Sequence, residues 1–131
     1  MTPSNFTILF AEDDVQVMWL YQKSFAQEGY KVLVSTNAAE AMAELQAEKV
    51  DLLVTDLAMP EANTFDLFNL LKEKYPRLPV IIVSGKYLDL KESFMDKGYK
   101  VTDFLQKPIA LSALKAKVAE VLGIEPIGTQ K

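Results

Sequence analysis

Residues 51–60 read DLLVTDLAMP, a short apolar run that ends in a single aspartate, Asp56. Two further runs, TILFA at 7–11 and VIIVS at 80–84, are also almost continuously apolar. Strands buried on both faces have this composition, whereas strands with one solvated face alternate apolar and polar residues. The three runs therefore predict the centre of a parallel sheet.

Two weaker runs complete a predicted set of five strands, which alternate along the chain with segments of helical periodicity. We predict strands at residues 6–11, 31–35, 51–55, 80–84 and 101–105. Alternation of this kind is typical of a parallel sheet with helices on both faces. The chain is therefore predicted to fold as an α/β domain in which ligands bind beyond the carboxyl ends of the strands.

The predicted helices have sequence signals at their ends. The first helix runs from about residue 14 to residue 28 and is stopped by Gly29. Asn37 is the predicted N-cap of the second helix, with Glu40 at the capping-box position, and Thr64 is the predicted N-cap of the third. The inward face of the first helix is predicted to comprise Val17, Leu20, Tyr21 and Phe25.

Composition excludes several classes of protein. The chain has 131 residues, the size of one domain, and contains neither cysteine nor histidine. These absences exclude disulfide scaffolds, zinc sites of the usual kind and catalysis by a histidine base. A net charge of −4 argues against direct binding of nucleic acid. We expect a cytoplasmic protein without membrane contact, because the sequence lacks a signal-peptide pattern and a bilayer-spanning apolar run.

Acidic residues follow two of the predicted strands. Glu12, Asp13 and Asp14 follow the first strand, and Asp56 follows the third. Because the carboxyl ends of parallel strands meet at one edge of the sheet, three or four carboxylates are expected to converge there. Such carboxylates raise one another's pKa unless a cation neutralises them, and an all-oxygen set fits Mg²⁺. Asp14 has an alternative role as the N-cap of the first helix.

Two further polar side chains are predicted at the same edge. Ser84 ends the fourth strand with a hydroxyl, and Lys107 follows the fifth strand with an ammonium group. A metal ion and a lysine neutralise charge on a transferring phosphoryl group, a hydroxyl binds one of its oxygens, and a carboxylate can act as the nucleophile. The set indicates phosphoryl transfer, although either residue alone is more often a turn former or a surface charge.

In these features the chain resembles the receiver domain of two-component response regulators, of the single-domain chemotaxis-regulator type. The resemblance implies a flavodoxin-like doubly wound (βα)5 fold, with a five-stranded parallel sheet in the order 2-1-3-4-5. We place the receiver domain at residues 1–123 and a C-terminal tail or the start of a linker at 124–131. Four blocks carry the resemblance, in the order found in the family: ILFAEDD at 8–14, DLLVTDLAMP at 51–60, VIIVSG at 80–85 and DFLQKPI at 103–109.

The resemblance also implies a phosphoacceptor and a metal site. Asp56 matches the aspartate that takes a phosphoryl group from a phosphohistidine on a partner protein. Glu12 and Asp13 match the acidic pair that binds Mg²⁺, for which Mn²⁺ can substitute. Asp56 itself and the backbone carbonyl of Ala58 are the further ligands that the resemblance implies.

Other positions match residues that contact the phosphoryl group or respond to it. Ser84 matches the switch hydroxyl, and Lys107 matches the lysine that pairs with the phosphoryl group. Phe104 matches the aromatic residue whose rotamer follows phosphorylation. The peptide bond between Lys107 and Pro108 is cis in this family.

Four features, each a departure from the family pattern or a position that varies within the family, concern regulation. Thr64 stands where family members usually have glycine, and the stretch 98–103 is about two residues longer than usual. Ala58 and Lys86 occupy the two positions that tune dephosphorylation. Since Ala58 offers no side-chain help to an attacking water, we predict a long-lived phosphoryl group.

Two pairs of residues are predicted partner surfaces. Met18 and Trp19 lie outside the predicted inward face of the first helix, so we expect at least partial exposure and a role in docking a histidine-bearing helical bundle. Tyr87 and Tyr99 are the candidates for an exposed output face near the fourth helix.

The expected function is that of a phosphoacceptor receiver domain in a two-component phosphorelay, not of an enzyme with an external substrate. The expected partners are a histidine kinase or histidine phosphotransfer protein and an unknown downstream target. The protein is expected to be a monomer or a phosphorylation-dependent dimer.

An alternative is a pseudo-receiver, a phosphorylation-independent interaction module, which the Thr64 and loop departures favour. A flavin carrier fits less well, because Glu12 and its acidic neighbours would repel a phosphate at the first strand. An aspartate-based phosphatase fits less well, because that family has its nucleophile in an Asp-x-Asp motif at the first strand, which is absent here.

Overall fold

The computed structural model describes residues 2–57, 64–85 and 87–124, and the side chains of residues 87–90 lie outside that description. Five parallel strands form one sheet in the order 2-1-3-4-5, which confirms the expected fold. The strands are β1 (Thr7–Ala11), β2 (Lys31–Ser35), β3 (Leu52–Thr55), β4 (Val80–Ser84) and β5 (Asp103–Gln106). The helices are α1 (Val15–Gln27), α2 (Ala38–Ala47), α3 (Thr64–Lys74), α4 (Tyr87–Asp96) and α5 (Leu111–Leu122).

Successive residues of each central strand enter two different apolar cores, one on each face of the sheet. On β1, Ile8 and Phe10 join the core beneath α1 and α5, whereas Leu9 and Ala11 join the core beneath α2, α3 and α4. The residues of β4 alternate in the same way. Because both faces are covered, every position of β4 and every position of β1 except Thr7 is buried, and this burial explains the nearly continuous apolar runs.

The cap of α2 forms as predicted, with one difference. The side chain of Asn37 accepts a hydrogen bond from the backbone N–H of Glu40, at 2.8 Å. The carboxylate of Glu40 reaches one residue further back than a standard capping box and accepts from the backbone N–H of Thr36, at 2.7 Å. The first bond satisfies an N–H group that the first helical turn cannot pair internally, and the second ties the residue before the cap to that turn.

Three predicted details are wrong. Thr64 is not the N-cap of α3, because it already lies within the helix and is buried. Leu20 does not face inward but is 43% exposed, and the buried residues of α1 are Tyr21, Ser24 and Phe25. β5 begins at Asp103, two residues later than predicted, because the hydroxyl of Thr102 takes the N–H of Val80 that a backbone carbonyl would otherwise pair.

Gly123 ends α5 in the left-handed conformation, with φ of 72°, which glycine adopts without steric cost. Ile124 follows and packs into the core beneath α1 and α5. Residues 125–131 lie outside the described residues, so the division into a domain and a tail stays a prediction. Within the described ranges, no helix has both the length and the apolar character to span a membrane.

Candidate functional site

The carboxyl ends of β1 and β3 place Glu12 and Asp56 at the same edge of the sheet. The backbone N–H of Glu12 donates to the carbonyl of Ser35, at 3.0 Å, and the N–H of Asp56 donates to the carbonyl of Ala11, at 3.0 Å. Hydrogen bonding between the strands therefore continues one residue beyond their ends. The two acidic residues are held rigidly and are only 2% and 4% exposed.

Asp13 joins these two residues in an acidic cluster. Carboxylate oxygens of Glu12, Asp13 and Asp56 lie within 4.8 Å of one another. Asp13 is exposed, so one side of the cluster is open to water. Hard oxygen ligands with room for retained waters suit Mg²⁺ better than a transition metal. The arrangement fits the metal that the sequence predicts.

Lys107 bridges the two buried carboxylates. Its Nζ donates to Oδ2 of Asp56 at 2.7 Å and to Oε1 of Glu12 at 3.0 Å. Its backbone N–H donates to the carbonyl of Ser84 at 3.2 Å, and the following bond to Pro108 is cis, as the resemblance implied. The lysine thereby connects the ends of β1, β3 and β4 at one point.

The charges of this cluster change the protonation equilibria of two groups. Partial burial works to lower the pKa of Lys107, but hydrogen bonds to Asp56 and Glu12 and the charges of these carboxylates outweigh it and raise that pKa. Burial raises the pKa of Glu12, against hydrogen bonds from the Asp14 N–H and from Lys107, and the charge of Asp56 raises it further. When ionised, three carboxylates face one ammonium group, which leaves an excess of negative charge for a divalent cation to neutralise.

Asp14 has the capping role that the sequence left open. Its carboxylate accepts hydrogen bonds from the backbone N–H groups of Gln16 and Val17, at 3.0 and 3.2 Å. Its own N–H donates to Oε2 of Glu12 at 3.0 Å. Asp14 thus starts α1 and orients the neighbouring glutamate.

The remaining predicted site residues differ in how far the structure describes them. Ser84 is fully buried at the end of β4. Phe104 is half-buried and packs against the core beneath α2, α3 and α4. Ala58 and Lys86 lie outside the described residues. The switching and tuning roles of these four residues stay predictions.

A groove between α1 and α5, with a volume of about 500 Å³, adjoins the acidic cluster. Lys107 lies at its wall, so the groove and the cluster share a residue. As expected, Met18 is half-buried and Trp19 exposed, the latter to 57%. Lys107 apart, the groove is lined by Val17, Leu20, Tyr21, Pro108, Ile109, Leu111 and Leu114.

Leu20 and Tyr21 line this groove, a contribution that was not predicted from the sequence. Burial raises the pKa of Tyr21, while the charge of Lys107 lowers it and those of Glu12 and Asp56 raise it, so its hydroxyl lies within electrostatic reach of the cluster. A signal was present in the sequence. Six of the seven residues at 15–21 are apolar, which is more than one inward helical face accommodates.

The prediction that Tyr99 is exposed is wrong. Tyr99 is only 9% exposed, because it follows Gly98, whose φ of 72° turns the chain, and packs against α3. Its hydroxyl donates to Oδ1 of Asn69 at 2.7 Å. The side chain of Tyr87 lies outside the described residues, so its predicted exposure is untested.

Comparison with known sequences places the site in a family context. The family model described as the response regulator receiver domain matches residues 8–119. The DNA-binding transcriptional regulator NtrC of Rhizobium meliloti is 34% identical over 119 residues, which cover 88% of this chain and 24% of NtrC. The response regulator SaeR of Staphylococcus aureus is 29% identical, with coverage of 88% and 50%. The chain spans about a quarter of the length of the NtrC relatives that it matches.

Comparison with solved structures supports the same grouping. A CheY-like response regulator receiver domain protein from Methanospirillum hungatei superposes with a TM-score of 0.80 at 24% identity, over 90% of this chain and 94% of that one. The BeF₃-activated receiver domain of nitrogen regulatory protein C gives a TM-score of 0.76 at 25% identity, over 94% and 97%. The similarity to the Methanospirillum hungatei protein shows the fold. The similarity to nitrogen regulatory protein C shows that the fold also matches a receiver domain solved in an activated form.

Proposed function

This chain belongs to the response regulator receiver domain family, and from that premise we propose that Asp56 accepts a phosphoryl group from a phosphohistidine of a partner protein. Receiver domains are signalling domains of two-component systems, and they bind Mg²⁺ at an acidic pocket. The proposed partners are a histidine kinase or a histidine phosphotransfer protein, followed by a downstream target that recognises the phosphorylated surface.

The observation that carries the proposal is the position of the Lys107 ammonium group, 2.7 Å from Asp56 and 3.0 Å from Glu12. A lone surface aspartate needs no such partner, and a purely structural buried pair would not require the third, exposed carboxylate of Asp13. Together the residues provide a nucleophile, a place for a metal ion and a fixed positive charge. Phosphoryl transfer depends on this combination of positioning and charge stabilisation.

The proposed reaction is a single displacement at phosphorus. An oxygen of Asp56 forms a bond to phosphorus, the bond between phosphorus and the imidazole nitrogen breaks, and the released imidazole keeps that electron pair. Bound Mg²⁺ would neutralise charge on the phosphoryl oxygens. Lys107 holds the attacking carboxylate in place before transfer and is close enough to pair with the phosphoryl group afterwards. The hydroxyl of Ser84 is the proposed donor to a further phosphoryl oxygen.

We further propose that the partner docks over α1 and the adjoining groove. Val15, Trp19 and Leu20 are 65%, 57% and 43% exposed, and an exposed apolar patch of this kind marks an interaction surface. Trp19→Glu is expected to lower transfer from the phosphorylated partner at least tenfold and to leave phosphorylation by acetyl phosphate unchanged. Met95→Glu is the matched control, because Met95 is 68% exposed but lies on α4. Equal transfer rates for both variants would exclude docking through Trp19.

Intact mass after incubation with acetyl phosphate and Mg²⁺ tests the proposed function. We expect one added phosphoryl group, which is lost in Asp56→Asn and after chelation of the metal. An adduct that persists in Asp56→Asn would contradict the proposed acceptor. No adduct, together with no response of Trp19 fluorescence to Mg²⁺, would favour the pseudo-receiver instead.

A further inference from the structure

Tyr99 connects the segment after α4 to α3. Its hydroxyl donates to Oδ1 of Asn69 at 2.7 Å and lies 3.4 Å from the carbonyl oxygen of Phe65. Both acceptors belong to α3, and they are one helical turn apart. A single hydroxyl thus contacts the helix at its first turn and at its middle.

Aromatic packing surrounds this contact. The ring of Tyr99 lies 5.6 Å from that of Phe68 and 5.3 Å from that of Phe94, measured between centroids. Phe94 belongs to α4 and also packs edge-on against Phe68 of α3, at 4.7 Å. Pairs at these distances and angles add to the free energy of apolar burial. The Tyr99 ring therefore closes a cluster that spans α3, α4 and the segment between α4 and β5.

A second polar contact ties the same two regions. Nζ of Lys72, on α3, donates to the backbone carbonyl of Lys97 at 2.9 Å. The ammonium group of Lys97 in turn lies 5.0 Å from the centre of the Phe65 ring. Hydrogen bonds and a cation–π contact thus cross between α3 and residues 97–99, in addition to the ring packing.

The position of α3 gives these contacts a functional meaning. α3 begins at Thr64, eight residues after Asp56, whereas α4 follows directly on β4, which ends at Ser84. Along the chain, α4 is the first helix after Ser84 and α3 the first after Asp56, and the contacts of Tyr99 join α3 to the C-terminal end of α4.

We infer that Tyr99 is a positioning residue that couples α3 to the C-terminal end of α4, so that a displacement of α3 on phosphorylation of Asp56 is transmitted to α4. This inference rests on the proposed function for its input, the phosphorylation of Asp56. The inference is separate from the switch role predicted for Phe104, because Phe104 has no hydroxyl that could make such a hydrogen bond. The contacts that carry it are those of Tyr99 with Asn69, Phe65, Phe68 and Phe94.

The variant that tests the coupling is Tyr99→Phe, because it removes the hydroxyl and keeps the ring. Tyr75→Phe is the matched control. The hydroxyl of Tyr75 donates to the carbonyl of Leu45 at 3.0 Å, so it joins the end of α3 to α2 and not to α4. Asn69→Ala removes the acceptor from the other side, and the double variant with Tyr99→Phe is expected to behave like either single variant.

The first readout is amide hydrogen exchange without phosphorylation. In Tyr99→Phe we expect the amides of residues 91–99 to exchange about fivefold faster, the effect of one lost hydrogen bond. In Tyr75→Phe the same amides are expected to keep the wild-type rate. Equal rates at residues 91–99 in all variants would overturn the coupling, and this outcome is independent of the phosphorylation chemistry.

The second readout compares the exchange change that acetyl phosphate with Mg²⁺ produces. We expect wild type and Tyr75→Phe to show the same change at residues 91–99, and Tyr99→Phe to show less than half of it at an equal mass yield of phosphorylated protein. An undiminished change in Tyr99→Phe would overturn the inference alone. Absence of any mass adduct in wild type would instead refute the proposed function.

Discussion

The acidic edge of the sheet and the segment between α4 and β5 contrast in how their side chains are positioned. At the acidic edge, Glu12 and Asp56 directly follow strands, and the hydrogen bonds between those strands fix their backbone. In the other region, Tyr99 lies in a connection outside the sheet, and its direction is set by Gly98 and by packing on α3. The positions of residues at strand ends are fixed by the sheet topology. The positions of residues in the connections between elements depend on their own tertiary contacts.

Phe68→Ala tests how much the tertiary contacts around Tyr99 stabilise the protein, and it should have the largest effect on the free energy of unfolding. Phe68 is 1% exposed and packs against Phe94 and Tyr99. Its truncation leaves a cavity, and we expect the free energy of unfolding to fall by about 3–5 kcal/mol. Urea denaturation measures this free energy of unfolding. Trp19→Ala, at an exposed position, should change the same quantity by no more than about 0.5 kcal/mol. Similar losses in both variants would show that the aromatic cluster does not stabilise this layer.

Metal binding tests whether the carboxylates at the acidic edge form a Mg²⁺ site. At a Mg²⁺ concentration 100 times its dissociation constant, the free energy of unfolding of the wild type should rise by about 2.7 kcal/mol. At that concentration we expect almost no rise for Asp13→Asn, which removes an exposed carboxylate of the cluster. Asp14→Asn provides the control one residue away, since asparagine is an equally good N-cap. If Asp14→Asn loses the effect and Asp13→Asn retains it, the assignment of the metal site is wrong.

The same contrast explains which features could be predicted from the sequence. The parallel sheet, the convergence of Glu12, Asp56 and Lys107, and the cap at Asn37 follow from apolar runs, from the rule on strand ends or from local motifs. The strand order was implied by the resemblance to the receiver family. The exposure of Leu20 was not predictable by choosing the best inward face, because α1 carries apolar residues on more than one face. The burial of Tyr99 requires knowledge of α3, which is some thirty residues away in the chain.

The cap of α2 provides the smallest predicted effect. Hydrogen bonds from the backbone and the side chain of Thr36 lower the pKa of Glu40. An acid with a lowered pKa in the folded state contributes stability at neutral pH, which is lost as the pH falls below about 4. We therefore expect Glu40→Gln to be slightly less stable than wild type at pH 7 and equally stable at low pH. Thermal unfolding across this range would check the sign, and a difference that grows on acidification would contradict it.

The most direct test of the central claim is to locate the phosphoryl group on the chain. An aspartyl phosphate is reduced by borohydride to homoserine, so peptide sequencing by mass spectrometry after phosphorylation and reduction identifies the modified residue. We predict homoserine at position 56, dependent on Mg²⁺ and sharply reduced in Lys107→Ala. Homoserine at position 13 or 14, 5-hydroxynorvaline (the product of a reduced glutamyl phosphate) at position 12, or modification that is independent of Mg²⁺, would contradict the assignment of Asp56 as the phosphoacceptor.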